Sequence, residues 1–342
     1  MDAHQIKEAL LNLSIDERKA LLKEIENESD LHVPVLENRR QKLDDKISSC
    51  PHCSGKKYRK HGKDKGSQRY YCNTCKRTFT EYTGTWLAGI HKKELVSDYL
   101  HLMEQELSLD KIKEKMGINK KTAFDWRHKI LSSLEVTSSG TFTGITESDD
   151  TFFLESSKGR KLEERKPRKR GGAAKKRGIS NEQVAVIVTA DRNTEIDMTV
   201  ARLGRIKKID IANAIGHKIT DETILCSDSH VSYKGFAIDN DIEHHAIRAN
   251  LKQYVKQKVY HVQHVNSIDS RLKKWIEYQF CGVSTKYLQM YLNWFKTKEK
   301  LKKSKEFMRD FITMSLEDIS AKERFMNINK TYQELIENTT QN

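Results

Sequence analysis

The sequence lacks the long apolar runs that membrane-spanning and exported proteins carry. None of its 342 residues falls in an uninterrupted apolar stretch approaching the roughly 18 positions that a bilayer span requires. The N-terminus, MDAHQIKEALLNLSIDERKA, mixes acids with its apolar residues and has no signal-peptide core. Apolar residues make up only 37% of the chain, but 11 Phe, 12 Tyr and 4 Trp argue against wholesale disorder. We expect a folded cytoplasmic protein without a membrane span.

Cysteine is also scarce, which argues against a disulfide framework in a reducing compartment. Four of the six cysteines nevertheless form two CxxC pairs, Cys50/Cys53 and Cys72/Cys75, separated by 18 residues. Two such pairs can supply a closed tetrahedral zinc site, and Tyr58, Tyr70, Tyr71 and Phe79 supply strand-forming residues around it. The alternative, two redox motifs, lacks the flanking βαβ pattern. This spacing predicts a small zinc ribbon at residues 46–85.

The chain has fewer acidic than basic residues, 48 Asp and Glu against 62 Lys and Arg, and its net charge is +14. Such an excess points to a polyanionic partner, nucleic acid first and anionic lipid second. Residues 158–178, KGRKLEERKPRKRGGAAKKRG, contribute +9 of this charge. Alone, such a run is typically a solvated tail or a localisation signal, but this one interrupts two strand-like segments. We therefore expect a loop that follows a phosphate backbone, with Arg168, Lys169 and Arg170 as DNA contacts.

The N-terminal segments are helical in pattern. Residues 3–27 predict a helical hairpin with Ser14 and Glu17 as a capping box, and the polar residues 28–45 predict a linker. Residues 90–136 follow the ribbon and are helix-rich. Residues 301–342 are interpreted as a C-terminal helical tail.

A helix-turn-helix pattern lies within residues 90–136. Ser108 caps a short helix, Gly117 closes it, and Asn119 caps the next helix. The second helix carries Lys120, Lys121, Thr122, Asp125, Arg127 and His128 at positions predicted to be exposed, which suits a DNA groove. The alternative is an ordinary helical hairpin with Phe124 and Trp126 in its core.

The C-terminal half predicts strands at residues 141–154, 182–190, 195–201, 222–226 and 242–246, with a helix at 206–215 and long helices from about residue 263. A strand meander, a helix, a strand ending in Asp and then further helices describe a mixed α/β sheet of the ribonuclease H type. We place this domain at residues 140–300.

Two acids lie in separate predicted strands of this domain. Asp149 is in the middle of one strand, and Asp228 ends another. An Asp in an apolar strand is unfavourable unless it is paired or bound to metal. If the strands are neighbours, the two carboxylates could hold two cations about 3.5–4 Å apart for phosphodiester chemistry. Otherwise they are surface residues at strand ends.

A third element comes from the helix predicted at residues 265–277. Asn266 and Lys273 are two helical turns apart and share a face. An Asn carbonyl can ligate a hard cation, and Lys can hold a phosphate.

Taken together, the sequence resembles the bacterial insertion-sequence transposases that join a zinc ribbon to an ISXO-like DDE domain. The resemblance spans about residues 5–296. It rests on the four cysteines, the segment ESDDTFF at 147–153, the basic loop, SDSHVSY at 227–233, and the tracts HVQHVNSIDSRLK at 261–273 and GVSTKYL at 282–288. It implies that Asp149, Asp228, Asn266 and Lys273 are catalytic, with the first three holding Mg²⁺. Asp269, one turn beyond Asn266, could be the third ligand instead.

The resemblance also implies an activity and its partners. A protein of this kind would bind terminal inverted repeats through the ribbon and helix-turn-helix, using a structural Zn²⁺ and two Mg²⁺ ions. It would cleave and transfer DNA strands as a homodimer or larger assembly on the bacterial nucleoid, with no small-molecule substrate. Three other hypotheses remain: a domesticated DNA-binding protein without catalysis, a nuclease or junction resolvase, and an RNA-binding zinc-ribbon protein.

Overall fold

The computed structural model describes residues 2–19, 21, 31–135, 140–159 and 172–340. These residues form two compact units. The first comprises Met1–Arg127 and Glu306–Ile319, and the second comprises His128–Lys305 and Ser320–Asn342. Within the described ranges no helix is both long and apolar enough to cross a bilayer.

The first unit contains the helices that precede the second unit in sequence and one helix from near the C-terminus. Their bounds are α1 Ala3–Leu11, α2 His32–Asp44, α3 Val96–Glu104, α4 Leu109–Met116, α5 Lys120–Leu131, whose end passes into the second unit, and α10 Phe307–Glu317. Residues 15–19 are also helical, and the backbone N–H groups of Ser14 and Glu17 each donate to the other's side chain, as the capping box predicts. The rest of the predicted hairpin lies largely outside the described residues.

The prediction of a linker at residues 28–45 is wrong for most of that range, because α2 occupies residues 32–44. Leu36 and Leu43 are two helical turns apart and are both buried, so one narrow apolar stripe holds the helix. The Arg39 guanidinium donates to the backbone carbonyls of Glu81 and Leu316, at 3.0 and 2.9 Å. A helix fixed by two leucines and one arginine is polar over most of its surface, and it therefore looks like a linker in sequence.

A small antiparallel sheet follows α2. Its strands are β1 Tyr58–Asp64, β2 Ser67–Cys72 and β3 Thr78–Phe79, in the order β1-β2-β3. Tyr58, Tyr70 and Phe79 are buried against one another, with ring centroids 5.3–5.8 Å apart. These three rings and Leu43 form a core too small for independent stability without a further constraint.

The second unit is built on a five-stranded mixed sheet. Its strands are β4 Gly144–Leu154, β5 Gln183–Asp191, β6 Ile196–Leu203, β7 Thr223–Asp228 and β8 Glu243–Ile247. The strand order is β6-β5-β4-β7-β8; β5 is antiparallel to both β4 and β6, and β7 is parallel to both β4 and β8. The mixed α/β sheet that the sequence predicts is therefore confirmed.

Helices cover both faces of this sheet. They are α6 Lys208–Ile215, α7 Val231–Asp239, α8 Gln263–Lys274, α9 Leu288–Leu301 and α11 Ala321–Thr340. On one face Ala185, Ile187 and Leu225 pack with α6 and α7. Helices α8 and α9 contact strands of the sheet as well, and residues 184–191 of β5 are buried without interruption. The apolar run VAVIVTA therefore reflects a central strand covered on both sides.

Two glycines of the first unit offer a matched test of its packing. Gly84 and Gly89 both have positive φ, +85° and +80°. A Cβ on Gly84 would lie 2.1 Å from the carbonyl oxygen of Ile319, whereas a Cβ on Gly89 meets nothing within 4 Å. Gly89→Ala should cost about 1–2 kcal/mol from the left-handed backbone alone. Gly84→Ala should cost a further ~1–3 kcal/mol from overpacking, measured by urea unfolding. Equal losses would contradict the close approach of Ile319.

Candidate active site and cysteine cluster

Parallel pairing of β4 with β7 brings the two predicted catalytic aspartates together. Ser148 pairs with Ser227 in the ladder, so Asp149 and Asp228 are the next residues along each strand. Residues opposite each other in a ladder face the same side of the sheet. The carboxylate oxygens of Asp149, Asp150 and Asp228 all lie within 4.8 Å of one another. The neighbouring strands that the sequence hypothesis required are therefore present.

This clustering raises the pKa values of two of the carboxyl groups. The pKa of Asp149 is raised to about 7 by burial and by the charges of Asp150 and Asp228, against a lowering effect of Lys273. The pKa of Asp150 is raised to about 6 by burial and by Asp228, with His230 opposing the shift. Buried like charges at this separation are stabilised by a cation between them.

Helix α8 adds a fourth carboxylate. Asp269 is only 8% exposed, and among the described residues its Oδ1 has no hydrogen-bond partner. Burial and then the charge of Asp149 raise the pKa of Asp269 to about 8, while Lys273 lowers it. Asn266, one turn earlier, is exposed. A buried carboxylate without a partner beside other carboxylates is a donor set that fits a hard cation such as Mg²⁺.

Glu147 fixes the start of α8 against the sheet. It is fully buried, and its Oε2 accepts from the backbone N–H groups of His264 and Val265, at 2.9 and 3.4 Å. Its Oε1 accepts from the Arg192 guanidinium at 3.3 Å and lies 3.2 Å from His261 Nδ1. A carboxylate is favourable at a helix N-terminus because it satisfies free N–H groups and interacts with the helix dipole. Glu147 therefore links β4 directly to the helix that carries Asp269.

Sequence reasoning missed this role. Glu147 entered it only as the first letter of a motif, although an acid within an apolar strand two residues before Asp149 was an available signal. Since side chains alternate along a strand, Glu147 and Asp149 share one face of β4.

The opposite face of β4 is lined by α7. Ser148 Oγ lies 2.7 Å from Thr189 Oγ1 and donates to the buried Tyr233 hydroxyl at 3.3 Å. Asp228 Oδ1 accepts from the backbone N–H of His230 at 2.9 Å, in the turn before α7. These hydrogen bonds fix the middle of β4 and the C-terminal end of β7, where the carboxylates meet.

The four CxxC cysteines form a second cluster. Their sulfurs lie within 4.8 Å of one another, with Cys50–Cys75 and Cys53–Cys72 separations of 3.8 and 3.7 Å. Four sulfurs bound tetrahedrally to zinc at about 2.3 Å are roughly 3.8 Å apart. Backbone N–H groups, that of Cys75 first, lower the pKa of Cys72 to about 6, which favours the thiolate that binds metal.

Gly55 keeps the first cysteine turn tight. A Cβ there would lie 2.8 Å from Thr74 Oγ1 and 3.2 Å from Cys53 Sγ.

The predicted DNA-binding residues of α5 divide into two groups. Lys120 and Lys121 are exposed and pair with Asp110 and Asp125, and Thr122 is half-buried. The prediction that Arg127 is exposed for DNA contact is wrong. Arg127 is 1% exposed, and its guanidinium donates to the Leu107 carbonyl at 2.6 Å.

His128 is buried as well, against Tyr287. Helical geometry explains the correction at Arg127, since Ala123, Trp126, Arg127 and Ile130 follow the i, i+3, i+4, i+7 spacing of the inward face. Arg168, Lys169 and Arg170 of the basic loop lie outside the described residues.

Comparison with known proteins finds similarity to proteins of transposable elements. Residues 141–299 match the ISXO2-like transposase domain. An uncharacterized protein in transposable element ISH50 of Halobacterium salinarum is 24% identical over 274 residues, which cover 78% of this chain and 91% of that protein.

Two solved structures are similar at low identity. The Mos1 strand transfer complex is 12% identical with a TM-score of 0.26, and a pre-cleavage Mos1 transpososome is 8% identical with a TM-score of 0.20. Each match covers 65% of this chain and 76% of the other. Residues 141–299 of this chain are therefore similar to the ISXO2-like transposase domain, and the wider chain is similar to an insertion-sequence protein.

Proposed function

We propose that this chain is an active DNA transposase that binds the terminal inverted repeats of its insertion sequence and cleaves and joins DNA strands with Mg²⁺. The observation that carries the proposal is the convergence of Asp149, Asp150 and Asp228, to which the buried Asp269 is electrostatically coupled; among the described residues its Oδ1 has no hydrogen-bond partner. Buried carboxylates at such separations repel each other, and bound cations would relieve that repulsion. The protein would act in the cytoplasm on nucleoid DNA, as a dimer or larger assembly, since two transposon ends must be joined.

Each residue of the site has a proposed task. Asp149 and Asp228 would hold two Mg²⁺ ions, which when bound lower the pKa of the attacking hydroxyl or water and neutralise charge on the phosphate. We assign the third ligand to Asp269, because it is buried and electrostatically coupled to Asp149 while Asn266 is exposed. Lys273 is half-buried near the same carboxylates and would hold the scissile phosphate.

DNA would reach this site through two further elements. The cysteine cluster would hold one Zn²⁺ and stabilise the small sheet, whose three buried rings are an insufficient core. Helices α4 and α5 would form the helix-turn-helix, with Lys120 and Lys121 exposed for DNA.

At the base of the basic loop, Lys158 Nζ donates to the backbone carbonyls of Phe280 and Gly282, at 2.9 and 3.0 Å.

Strand transfer with paired end DNA and Mg²⁺ tests the function. Asp149→Asn and Asp228→Asn should each reduce product by at least about 100-fold, or about 2.7 kcal/mol in the barrier, because each removes a metal ligand. Binding of end DNA, measured by gel shift, should persist. Unchanged product in both variants would reject the site. Cutting without joining would identify a nuclease, and binding without cutting by the wild type would identify a DNA-binding protein.

The same assay ranks the third ligand. Asp269→Asn should abolish product as completely as Asp149→Asn does, whereas Asn266→Ala should reduce it by about tenfold or less. Because both residues lie on α8 one turn apart, each variant serves as the control for the other. The reverse ranking would assign the ligand to Asn266, as the family resemblance implies.

Zinc removal should weaken end binding while leaving the second unit folded. Cys50→Ser/Cys53→Ser should lose the metal, measured by elemental analysis, and should lose most specific binding, because small zinc modules fold on their metal. Cys226→Ser/Cys281→Ser is the matched control, since these two cysteines lie outside the cluster. Specific binding retained by a zinc-free protein would contradict the role.

Glu147 should behave as a positioning residue. Glu147→Ala leaves the Arg192 guanidinium and two helix N–H groups without their acceptor, which should cost about 3 kcal/mol of stability and at least ~10-fold in strand transfer. Glu147→Gln keeps a carbonyl acceptor for α8, and Arg192 is exposed enough to be hydrated. It should recover most of the activity. If Glu147→Gln were as inactive as Asp149→Asn, Glu147 would instead act directly in the reaction.

A further inference from the structure

The connection between β8 and α8 is unusually basic. Residues 248–260, here named the basic hairpin, contain Arg248, Lys252, Lys256 and Lys258. From His244 to Ile268 the sequence has no Asp or Glu. A surface segment with cations and no neighbouring acids in sequence attracts polyanions instead of forming local ion pairs.

The basic hairpin also exposes large apolar side chains. Leu251 is 65% exposed, Tyr254 58%, Val255 41% and Val259 43%. Four such residues within nine positions form a mixed apolar and cationic surface. Apolar surface of this kind typically marks an interaction site.

Hydrogen bonds and backbone geometry give this segment a defined shape. At one end Gln253 N–H donates to the Arg248 carbonyl at 3.1 Å. At the other end the backbones of Lys256 and Tyr260 exchange hydrogen bonds of 2.8 and 2.9 Å, and the Tyr260 ring stacks on His245 at 3.6 Å. Tyr254 lies between the two turns.

The turns also require strained backbone. Lys252, Gln257 and Lys258 have φ of 58°, 50° and 64°, a region that non-glycine residues rarely adopt. Conformations of this kind persist where the surroundings hold them, and they cluster at functional sites.

The basic hairpin connects the strand beside Asp228 to the helix that carries Asp269. Asp228 pairs with Ile247 in the sheet, so Arg248 is the first residue beyond that pair. At the far end the chain enters α8, and Asp269 lies within that helix. In between, the Arg192 guanidinium donates both to the Val259 carbonyl and to Glu147, two residues before Asp149.

We propose that the basic hairpin is a DNA-binding surface that holds the strand next to the scissile phosphate. Arg248, Lys252 and Lys258 contact backbone phosphates, and the Tyr254 ring stacks on an unpaired base. Cations interleaved with an exposed aromatic ring are the combination that binds single-stranded nucleic acid. The inference rests on the proposed function, because it locates the DNA at Asp149 and Asp228.

A fluorescent end DNA tests this surface with the full-length, zinc-loaded chain in Ca²⁺. The cleavage position is first mapped with the wild type in Mg²⁺, and 2-aminopurine is placed at the bases beside it. Arg248→Gln/Lys252→Gln/Lys258→Gln should weaken binding about 10- to 100-fold near 0.1 M salt and reduce the salt slope by about 2–3, since each phosphate contact adds about 0.9. Circular dichroism checks folding.

Matched controls separate site from charge. Lys302→Gln/Lys303→Gln/Lys305→Gln removes the same charge from exposed positions of the second unit and should change the affinity by less than about twofold. Tyr254→Ala should lose the 2-aminopurine signal change and about tenfold in strand transfer, whereas Tyr254→Phe should keep both, because stacking needs only the ring.

The outcomes distinguish this inference from the function itself. If the wild type cleaves and joins ends while the hairpin variants match the lysine control, the inference is overturned and the function stands. If the wild type neither binds nor cleaves end DNA, the proposed function fails and the inference falls with it. Loss of binding to anionic lipid vesicles, with DNA binding unchanged, would reassign the surface to a membrane.

Discussion

The pairing of β4 with β7 is the constraint on which the second unit depends. The pairing is parallel, while β4 pairs antiparallel with β5. This combination places Asp149 beside Asp228, at the C-terminal end of β7. A register shift of one residue would move Asp149 to the opposite face and separate it from Asp228 and α8. The hydrophobic core enforces the register, because Ala185 and Ile187 on β5 and Leu225 on β7 are all buried.

Burial makes this arrangement costly. Desolvation is the largest cause of the raised pKa values of Asp149, Asp150 and Asp269, and their mutual repulsion adds to it. The fold offsets part of that cost with Lys273 on α8 and with the backbone N–H of His230. Glu147 shows the contrasting case, a buried carboxylate fully engaged by Arg192 and by the N-terminus of α8. Glu147 has its hydrogen-bond and ion-pair partners within the protein and so positions α8. The carboxylates of Asp149 and Asp269 have fewer such partners and could instead bind a cation.

Local signals predicted the parts of the fold that local forces decide. The central strand β5 is an apolar and β-branched run, and the caps Ser108 and Asn119 and the turn at Gly117 act within a few residues. Convergence of Asp149 and Asp228 was predictable only as a condition on strand order. The family resemblance supplied that condition, and the sheet meets it.

The misses share one cause, a partner distant in sequence. Glu147 binds α8 across 117 residues, and Arg39 reaches a carbonyl 277 residues away. Arg127 lies on the inward face of α5, and its guanidinium donates a hydrogen bond to the Leu107 carbonyl, so a cation predicted to contact DNA is buried instead. A basic residue in a sequence needs a hydrogen-bond or ionic partner. The fold is needed to tell whether that partner is a phosphate or a carbonyl within the protein.

Charge distribution joins these observations. The basic loop carries +9 of the net +14, yet the cluster of Asp149, Asp150 and Asp228 is acidic and alone would repel a phosphodiester. For the proposed DNA substrate, the attracting cations would have to lie around these carboxylates, and connecting segments of the second unit carry such cations. The basic loop follows β4, and the basic hairpin follows β8, so both leave strands of the sheet that carries Asp149 and Asp228. In the proposed function, cations on the connections would attract the DNA backbone, and bound metal would offset its repulsion by the carboxylates.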